Sequence, residues 1–161
     1  MKFSLRFLSI IVALFIWAIL PAEAQIGQKA TYLAPTIGYD ISSSRLFLGA
    51  QGYLEMSQSS ASTSFGIAPA VDIYAIGSDP FAMGFHAAAQ FIFSRQETTQ
   101  PYASAGLGLL VGSGVTSGLL VNLTAGVRFM ADSPIVPFAQ VNMLIGSGSA
   151  FRLISGVSFR I

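Results

Sequence analysis

The sequence contains one histidine, His86, so any reaction that needs an imidazole must use this residue. A histidine can activate a serine or a water molecule when a carboxylate orients its ring. Cysteine is absent and the acidic residues are dispersed, which leaves no pattern for a transition-metal site or a calcium loop. A histidine that faces inward among amides is more often structural than catalytic. We therefore predict no catalytic residue, no cofactor and no metal.

The segment that opens the chain has the layout of a secretory signal peptide. Lys2 and Arg6 precede a short apolar run, and Pro21-Ala22-Glu23-Ala24 supplies the small residues of a cleavage site. The alternative is an N-terminal membrane anchor, which needs roughly 20 apolar residues, more than this run provides. We predict a cleaved signal peptide at 1–24, followed by one domain at 25–161.

The composition is unusual for a soluble domain. Charged residues make up 9% of the chain, against about a quarter in soluble domains. The predicted cleavage removes Lys2, Arg6 and Glu23 and leaves a neutral chain, which gives no electrostatic reason to bind nucleic acid. Gly, Ser or a charge nevertheless interrupts every later apolar run before it could form a spanning helix. High apolarity without long runs is typical of a transmembrane barrel, in which only alternate residues meet lipid.

Clusters of Gly, Ser, Asp and Pro divide the domain into eight segments, because these residues favour turns. The predicted turns lie at 42–44, 57–64, 77–80, 94–100, 112–117, 131–134 and 146–149. Each segment has about the ten residues that a tilted membrane strand requires. The predicted strands span 30–41, 45–56, 65–76, 81–93, 101–111, 118–130, 135–145 and 150–161.

Apolar residues alternate with polar ones inside these segments. In the fourth, Phe81, Met83 and Phe85 face one way, while His86 and Gln90 face the other. A period of two indicates a strand with one apolar and one polar face.

Four prolines repeat at a spacing of about 34 residues, the length of one hairpin with its connections. They are Pro35, Pro69, Pro101 and Pro137. Four hairpins make eight strands. A closed barrel has no edge to accept a proline, so we expect Pro35 and Pro69 to lie at bulges or outside the membrane-embedded ladder.

Several stretches resemble the small bacterial outer-membrane β-barrel superfamily, which includes the OmpA-like, OmpX-like and opacity-type barrels. They are the strand start at 101–108, the strand ends at 126–129 and 156–159, and the alternating final strand Phe151–Ile161. The resemblance implies an all-β fold: an eight-stranded antiparallel up-and-down transmembrane β-barrel with both termini in the periplasm of a Gram-negative-type bacterium. It also implies that the barrel-assembly machinery reads Phe151–Ile161 during insertion, although members usually end in Phe and this chain ends in Ile161.

An eight-stranded barrel is just wide enough for side chains to fill its interior, so an open pore is not expected. The predicted polar core of the lumen contains both charge signs and several amides: Asp40, Gln51, Glu55, Asp72, His86, Gln90, Asn122, Arg128, Gln140, Asn142 and Arg152. The predicted aromatic girdle lies near the periplasmic strand ends: Phe65, Phe91, Phe93, Phe129 and Phe159.

These features favour a monomeric, non-enzymatic outer-membrane protein with a structural, envelope or surface-interaction role, whose partners are membrane lipids. One alternative is a lipid A-modifying barrel, a deacylase or acyltransferase that uses His86. The deacylase pattern has a serine where this chain has Ala88, and the acyltransferase pattern has an Asp-Ser pair where this chain has Ser78-Asp79. A second alternative is a secreted lipocalin-like binding barrel, which requires an apolar interior and a charged exterior.

Overall fold

A computed structural model describes residues 31–58, 63–74, 81–94, 98–113, 117–130, 135–146 and 149–161. The predicted signal peptide and the turn at 131–134 lie outside the described residues. So do half of the turn at 57–64, all of that at 77–80, and parts of those at 94–100, 112–117 and 146–149.

Eight strands form one closed antiparallel barrel in which each strand pairs with its neighbours in sequence and β8 pairs with β1. The strands are β1 (Thr31–Asp40), β2 (Arg45–Gln58), β3 (Ser64–Tyr74), β4 (Ala82–Ile92), β5 (Thr99–Gly112), β6 (Gly118–Phe129), β7 (Ile135–Gly146) and β8 (Ala150–Arg160). The predicted fold class is confirmed, and the predicted strand ends differ from these by at most two residues. No helix in the described part of the chain is long and apolar enough to cross a membrane.

Alternation along each strand separates the interior of the barrel from its outer surface. In β7 every second side chain from Val136 to Leu144 is buried and the side chains between them are exposed. The outer surface is apolar, with large side chains such as Leu107 and Leu119 exposed at 61% and 72%. Among the charged side chains that the structure describes, Arg160 is exposed, Arg45 is half-buried and the others are buried. This distribution is the inverse of that in a water-soluble protein.

The expectation of bulges at Pro35 and Pro69 is wrong. Both lie within the ladder at unshifted register, with Pro35 opposite Ala50 and Pro69 opposite Ala87. The β2–β3 register shift lies elsewhere, between Glu55 and Ser57. Each proline pairs with one neighbouring strand, while the ladder to the neighbouring strand on its other side is interrupted. This arrangement needs no inserted residue of the kind that forms a bulge.

Two local interruptions show how this works. The β1–β8 ladder passes from Leu33 directly to Thr36, and the β2–β3 ladder passes from Leu54 to Gln51. The missing pairs coincide with the prolines, which have no N–H to donate. A closed barrel thus accepts a proline by losing a local ladder contact on one side.

The first turn, which connects β1 and β2, is held by a side chain. The carboxylate of Asp40 accepts hydrogen bonds from the Ser42 N–H at 2.9 Å, the Ser43 N–H at 3.2 Å and the Ser43 hydroxyl at 2.7 Å. Ser44 has a positive φ of 54°, which reverses the chain direction. Through these three hydrogen bonds, Asp40 holds the turn at this end of the barrel.

Candidate functional site

The interior of the barrel is the candidate site, because it collects the chain's buried charges and its histidine. Three groups of side chains follow one another along it. The central ion cluster is Asp72, His86, Asn142, Arg152 and Tyr74. The tyrosine cage is Tyr32, Tyr53 and Tyr102 around Arg128. The vestibule is a cavity at the end that carries the β1–β2 and β7–β8 turns, and its lining includes Ser42, Tyr74, Ala82, Leu110, Leu144 and Ser149.

The central ion cluster is organised by Arg152, which is 1% exposed. Its guanidinium donates to Asp72 Oδ2 at 2.6 Å, to the Tyr74 hydroxyl oxygen at 2.8 Å and, through Nε, to Asn142 Oδ1 at 2.8 Å. Its carbon Cζ also lies 4.9 Å above the centre of the Phe47 ring. Asn142 lies on the neighbouring strand β7, whereas Asp72 and Tyr74 lie on β3, far from β8 in sequence, so their contacts with Arg152 form only when the barrel closes.

His86 contacts the same carboxylate. Its Nε2 lies 2.9 Å from Asp72 Oδ2, and the side chains of both residues are almost completely buried. His86 Nδ1 has no hydrogen-bond partner among the described residues. The arrangement joins an imidazole, a carboxylate and a guanidinium, and a buried charge needs such partners.

An amide network continues from Arg152 through β7 and β6. The Asn142 amide donates to Asn122 Oδ1, to the Thr124 hydroxyl at 2.7 Å and to the Leu123 carbonyl at 3.2 Å. Both polar atoms of the Asn142 side chain therefore find protein partners, and this limits the cost of their burial.

A second, separate link crosses the barrel. Gln140 accepts the Tyr102 hydroxyl hydrogen at 2.7 Å and donates to Gln51 at 3.2 Å. This link joins Gln51 and Gln140 to the tyrosine cage.

The tyrosine cage surrounds the second interior arginine. Arg128 Cζ lies 5.2, 4.7 and 5.1 Å from the ring centres of Tyr32, Tyr53 and Tyr102. A guanidinium over an aromatic face is attracted by the negative potential of the ring. The cage fills the interior at the end of the barrel opposite the vestibule.

Glycines make room for the interior rings. A Cβ on Gly126 would lie 2.5 Å from Tyr102 Cζ, and one on Gly84 would lie 2.7 Å from His86 Nε2. Cross-strand pairs show the same relation, with Gly108 opposite His86 and Gly126 opposite Tyr102. An inward glycine opposite an inward ring thus lets large side chains pack in a narrow barrel.

Little empty space remains between these layers. A cavity of about 30 Å³ lies beside Asp72, His86 and Arg152, and one of about 10 Å³ lies beside Arg128. A cavity needs about 10–15 Å³ to hold one water molecule. The described interior therefore has room for isolated water molecules around the charged layers.

The structure places the predicted lumen residues as follows. Gln51 is half-buried, and the rest are buried, at 8% exposure or less: Asp40, Glu55, Asp72, His86, Gln90, Asn122, Arg128, Gln140, Asn142 and Arg152. Not all of them form one network. Asp40 holds the first turn, and neither amide atom of Gln90 has a partner among the described residues.

The predicted girdle residues lie at the end of the barrel opposite the vestibule. Phe91, Phe93, Phe129 and Phe159 are exposed, while Phe65 is half-buried and its ring centre lies 4.9 Å from that of Phe91.

Sequence reasoning missed the interior tyrosines. Tyr53, Tyr74 and Tyr102 are buried at 2%, 6% and 2% exposure and contact the two interior arginines. All three occupy the inward phase of their strands, so alternation could have identified them. A tyrosine at such a position carries a hydroxyl that needs a polar neighbour.

The alternatives involving His86 depend on accessible groups. His86 is 4% exposed, and position 88, where the deacylase pattern has a serine, is a buried alanine. Ser78 and Asp79 lie outside the described residues. In the described part of the chain, no three His, Cys, Asp or Glu side chains are grouped so that they could hold a metal ion.

Solved structures share this architecture at low sequence identity. The N-terminal β-barrel domain of Pseudomonas aeruginosa OprF has a TM-score of 0.63 and 16% identity, covering 84% of this chain and 100% of that one. The fold is that of the small outer-membrane β-barrels. Ail, the attachment invasion locus protein of Yersinia pestis, has a TM-score of 0.59 and 14% identity, over 85% and 100% of the two chains.

An enzyme shares the fold as well. The outer membrane enzyme PagL has a TM-score of 0.54 and 11% identity, over 81% and 98% of the two chains. No protein-family model and no curated protein matches the sequence. These similarities concern the fold and do not determine the activity.

Proposed function

We propose that this protein is an integral outer-membrane β-barrel with a structural or envelope role, in which the lumen is a packed polar core rather than a pore. The observation that carries the proposal is the arrangement of its two surfaces. The outer surface presents large apolar side chains, while the described buried charges lie inside the barrel, where Asp72 and Arg152 contact each other.

The apolar wall supports insertion into lipid, because a closed ladder leaves no strand edge without a hydrogen-bond partner. The exposed phenylalanines at one end support an interfacial girdle there. We assign that end, which carries Thr31 and Ile161, to the periplasm, and we assign Phe151–Ile161 as the strand that the assembly machinery recognises. Cleavage of 1–24 belongs to the same proposal.

Lack of conduction follows from the interior contacts. The two arginines occupy successive layers of the lumen, and the cavities beside them are only about 30 and 10 Å³. Purified protein in planar lipid bilayers is expected to give no steady single-channel current. A steady ohmic current that disappears in a folding-defective variant would refute the packed core.

Cell fractionation tests the location. The protein is expected in the outer-membrane fraction, and the unboiled sample is expected to migrate differently from the boiled one, because small membrane barrels resist unfolding in cold detergent. Recovery in the soluble periplasmic fraction would contradict the proposal and favour a lipocalin-like barrel, although the charges inside this barrel argue against that alternative.

The enzymatic alternative has its own test. A catalytic His86 would have to reach a lipid, and its burial beside Asp72 supports a structural role. Lipid A acylation is expected to be the same in cells with the wild-type protein and with His86→Ala. A change in lipid A acylation that depends on His86 would make the protein an enzyme.

A further inference from the structure

The vestibule is a cavity of about 220 Å³ at the barrel end that carries the β1–β2 and β7–β8 turns. Tyr74, Ala82, Leu110 and Leu144 form its apolar part, and its polar side holds Ser42, Ser43 and Ser149 with the oppositely charged Asp40 and Arg45. The mouth of a β-barrel is a common place for a small-molecule site. The stability of the barrel does not require this cavity to be empty.

The apolar part is a rigid surface. Tyr74 and Ala82 belong to a buried cluster with Phe47 and Ile154, against which Leu110 packs. The rings of Phe47 and Tyr74 are 5.0 Å apart. A preformed apolar surface of this kind can bind a hydrocarbon group without first having to be ordered.

Two hydroxyls of the vestibule accept a hydrogen bond and keep a hydrogen to donate. Tyr74 receives a hydrogen bond from Arg152, and Ser42 receives one from the Phe151 N–H at 2.9 Å, so the hydroxyl hydrogen of each remains to be donated. Among the described residues neither hydroxyl donates to a protein acceptor. The carboxylate of Asp40, by contrast, already accepts three hydrogen bonds within the turn.

The neighbouring arginine strengthens the phenol as a donor. A cationic donor to the Tyr74 oxygen withdraws electron density and polarises its O–H bond. Such a hydroxyl favours an anionic acceptor, because hydrogen bonds to charged acceptors are the stronger ones.

We propose that the vestibule binds a short-chain carboxylate, with its carboxylate accepting from the Tyr74 and Ser42 hydroxyls and its alkyl chain against Ala82, Leu110 and Leu144. The volume of about 220 Å³ is far above the roughly 10–15 Å³ that admits one water molecule, and it suits a chain of about six carbons. The site uses side chains of this barrel alone and does not depend on which membrane face the vestibule meets.

The test uses the full protein in lipid nanodiscs with ¹³C-labelled leucine and alanine methyl groups, titrated with hexanoate. Saturable shifts are expected at Leu144, Leu110 and Ala82, with no saturable shift at Leu107 on the outer wall. Hexylammonium is the matched ligand of opposite charge and is expected to give no saturable shift at these methyls. Equal responses to the two ligands, or shifts that only grow linearly through partition into lipid, would overturn the proposal.

Variants then locate the contacts. Tyr74→Phe is expected to weaken hexanoate binding about tenfold, since it removes one hydrogen bond to a charged group. Tyr102→Phe, the same change in the tyrosine cage, is expected to leave the affinity unchanged. Ala82→Leu fills the cavity without touching Arg152 and provides the test if Tyr74→Phe fails to fold. Wild-type affinity in a folded Ala82→Leu protein would place hexanoate elsewhere.

Discussion

Removal of the Asp72 carboxylate charge is the most demanding test of the packed interior. Asp72→Asn keeps the shape of the side chain but leaves Arg152, 1% exposed, without its carboxylate partner. Breaking a buried pair in this way costs about 3–5 kcal/mol, because the remaining charge stays buried and uncompensated. We therefore expect the free energy of unfolding to fall by that amount.

The double variant distinguishes the stability lost with the ion pair from the stability that any substitution at these positions would cost. Asp72→Asn combined with Arg152→Met leaves neither charge buried, so it is expected to be more stable than Asp72→Asn alone despite carrying one more substitution. The two changes should then be non-additive by about 2–3 kcal/mol, in the range of coupled neighbours. Arg160→Met on the same strand is the control, since an exposed arginine contributes within about 0.5 kcal/mol.

The assay is urea unfolding in phospholipid vesicles, with the folded fraction measured by the mobility of unboiled samples on gels. Two results would refute the reasoning. One is a loss below about 1 kcal/mol for Asp72→Asn, which would mean that water reaches Arg152. The other is strict additivity in the double variant.

Other interior contacts give further expectations, measured by the same urea titration. Gly126→Ala should lose about 1–3 kcal/mol, because its Cβ would lie 2.5 Å from Tyr102 Cζ; unchanged stability would show that the ring can move away. Gln90→Met should be neutral or stabilising, because it removes a fully buried amide without partners, while Gln140→Met should cost about 1–3 kcal/mol, since it leaves the Tyr102 hydroxyl without its acceptor. Equal losses at the two glutamines would contradict this assignment.

The fold was predictable because its signals are local. Turn residues mark the strand ends, and a period of two assigns each side chain to one face, so eight strands and their faces follow from the sequence alone. The prolines show a limit of that reasoning. Whether Pro35 needs a bulge depends on pairing with β8, at the other end of the chain, and the observed solution loses ladder pairs on one side.

The sequence predicts which residues belong to the candidate site better than it predicts which of them contact each other. Alternation assigns Asp72, His86 and Arg152 to the same polar face. That Arg152 contacts Asp72, 80 residues away in sequence, depends on how far the strands are staggered when the barrel closes. The interior tyrosines were missed because a tyrosine is usually counted with the apolar residues, whereas the rings of the tyrosine cage contact Arg128 and the Tyr74 hydroxyl contacts Arg152.

The central claim is that the apolar face meets lipid and the charged face does not. The sequence has one tryptophan, Trp17, so a Trp17→Phe background allows a single reporter to be placed on either face. In vesicles of brominated phospholipid, Leu107→Trp on the outer wall is expected to be strongly quenched and blue-shifted, and Tyr102→Trp in the lumen is expected to be little affected. Equal quenching of the two reporters, or quenching of the lumen reporter alone, would contradict the account.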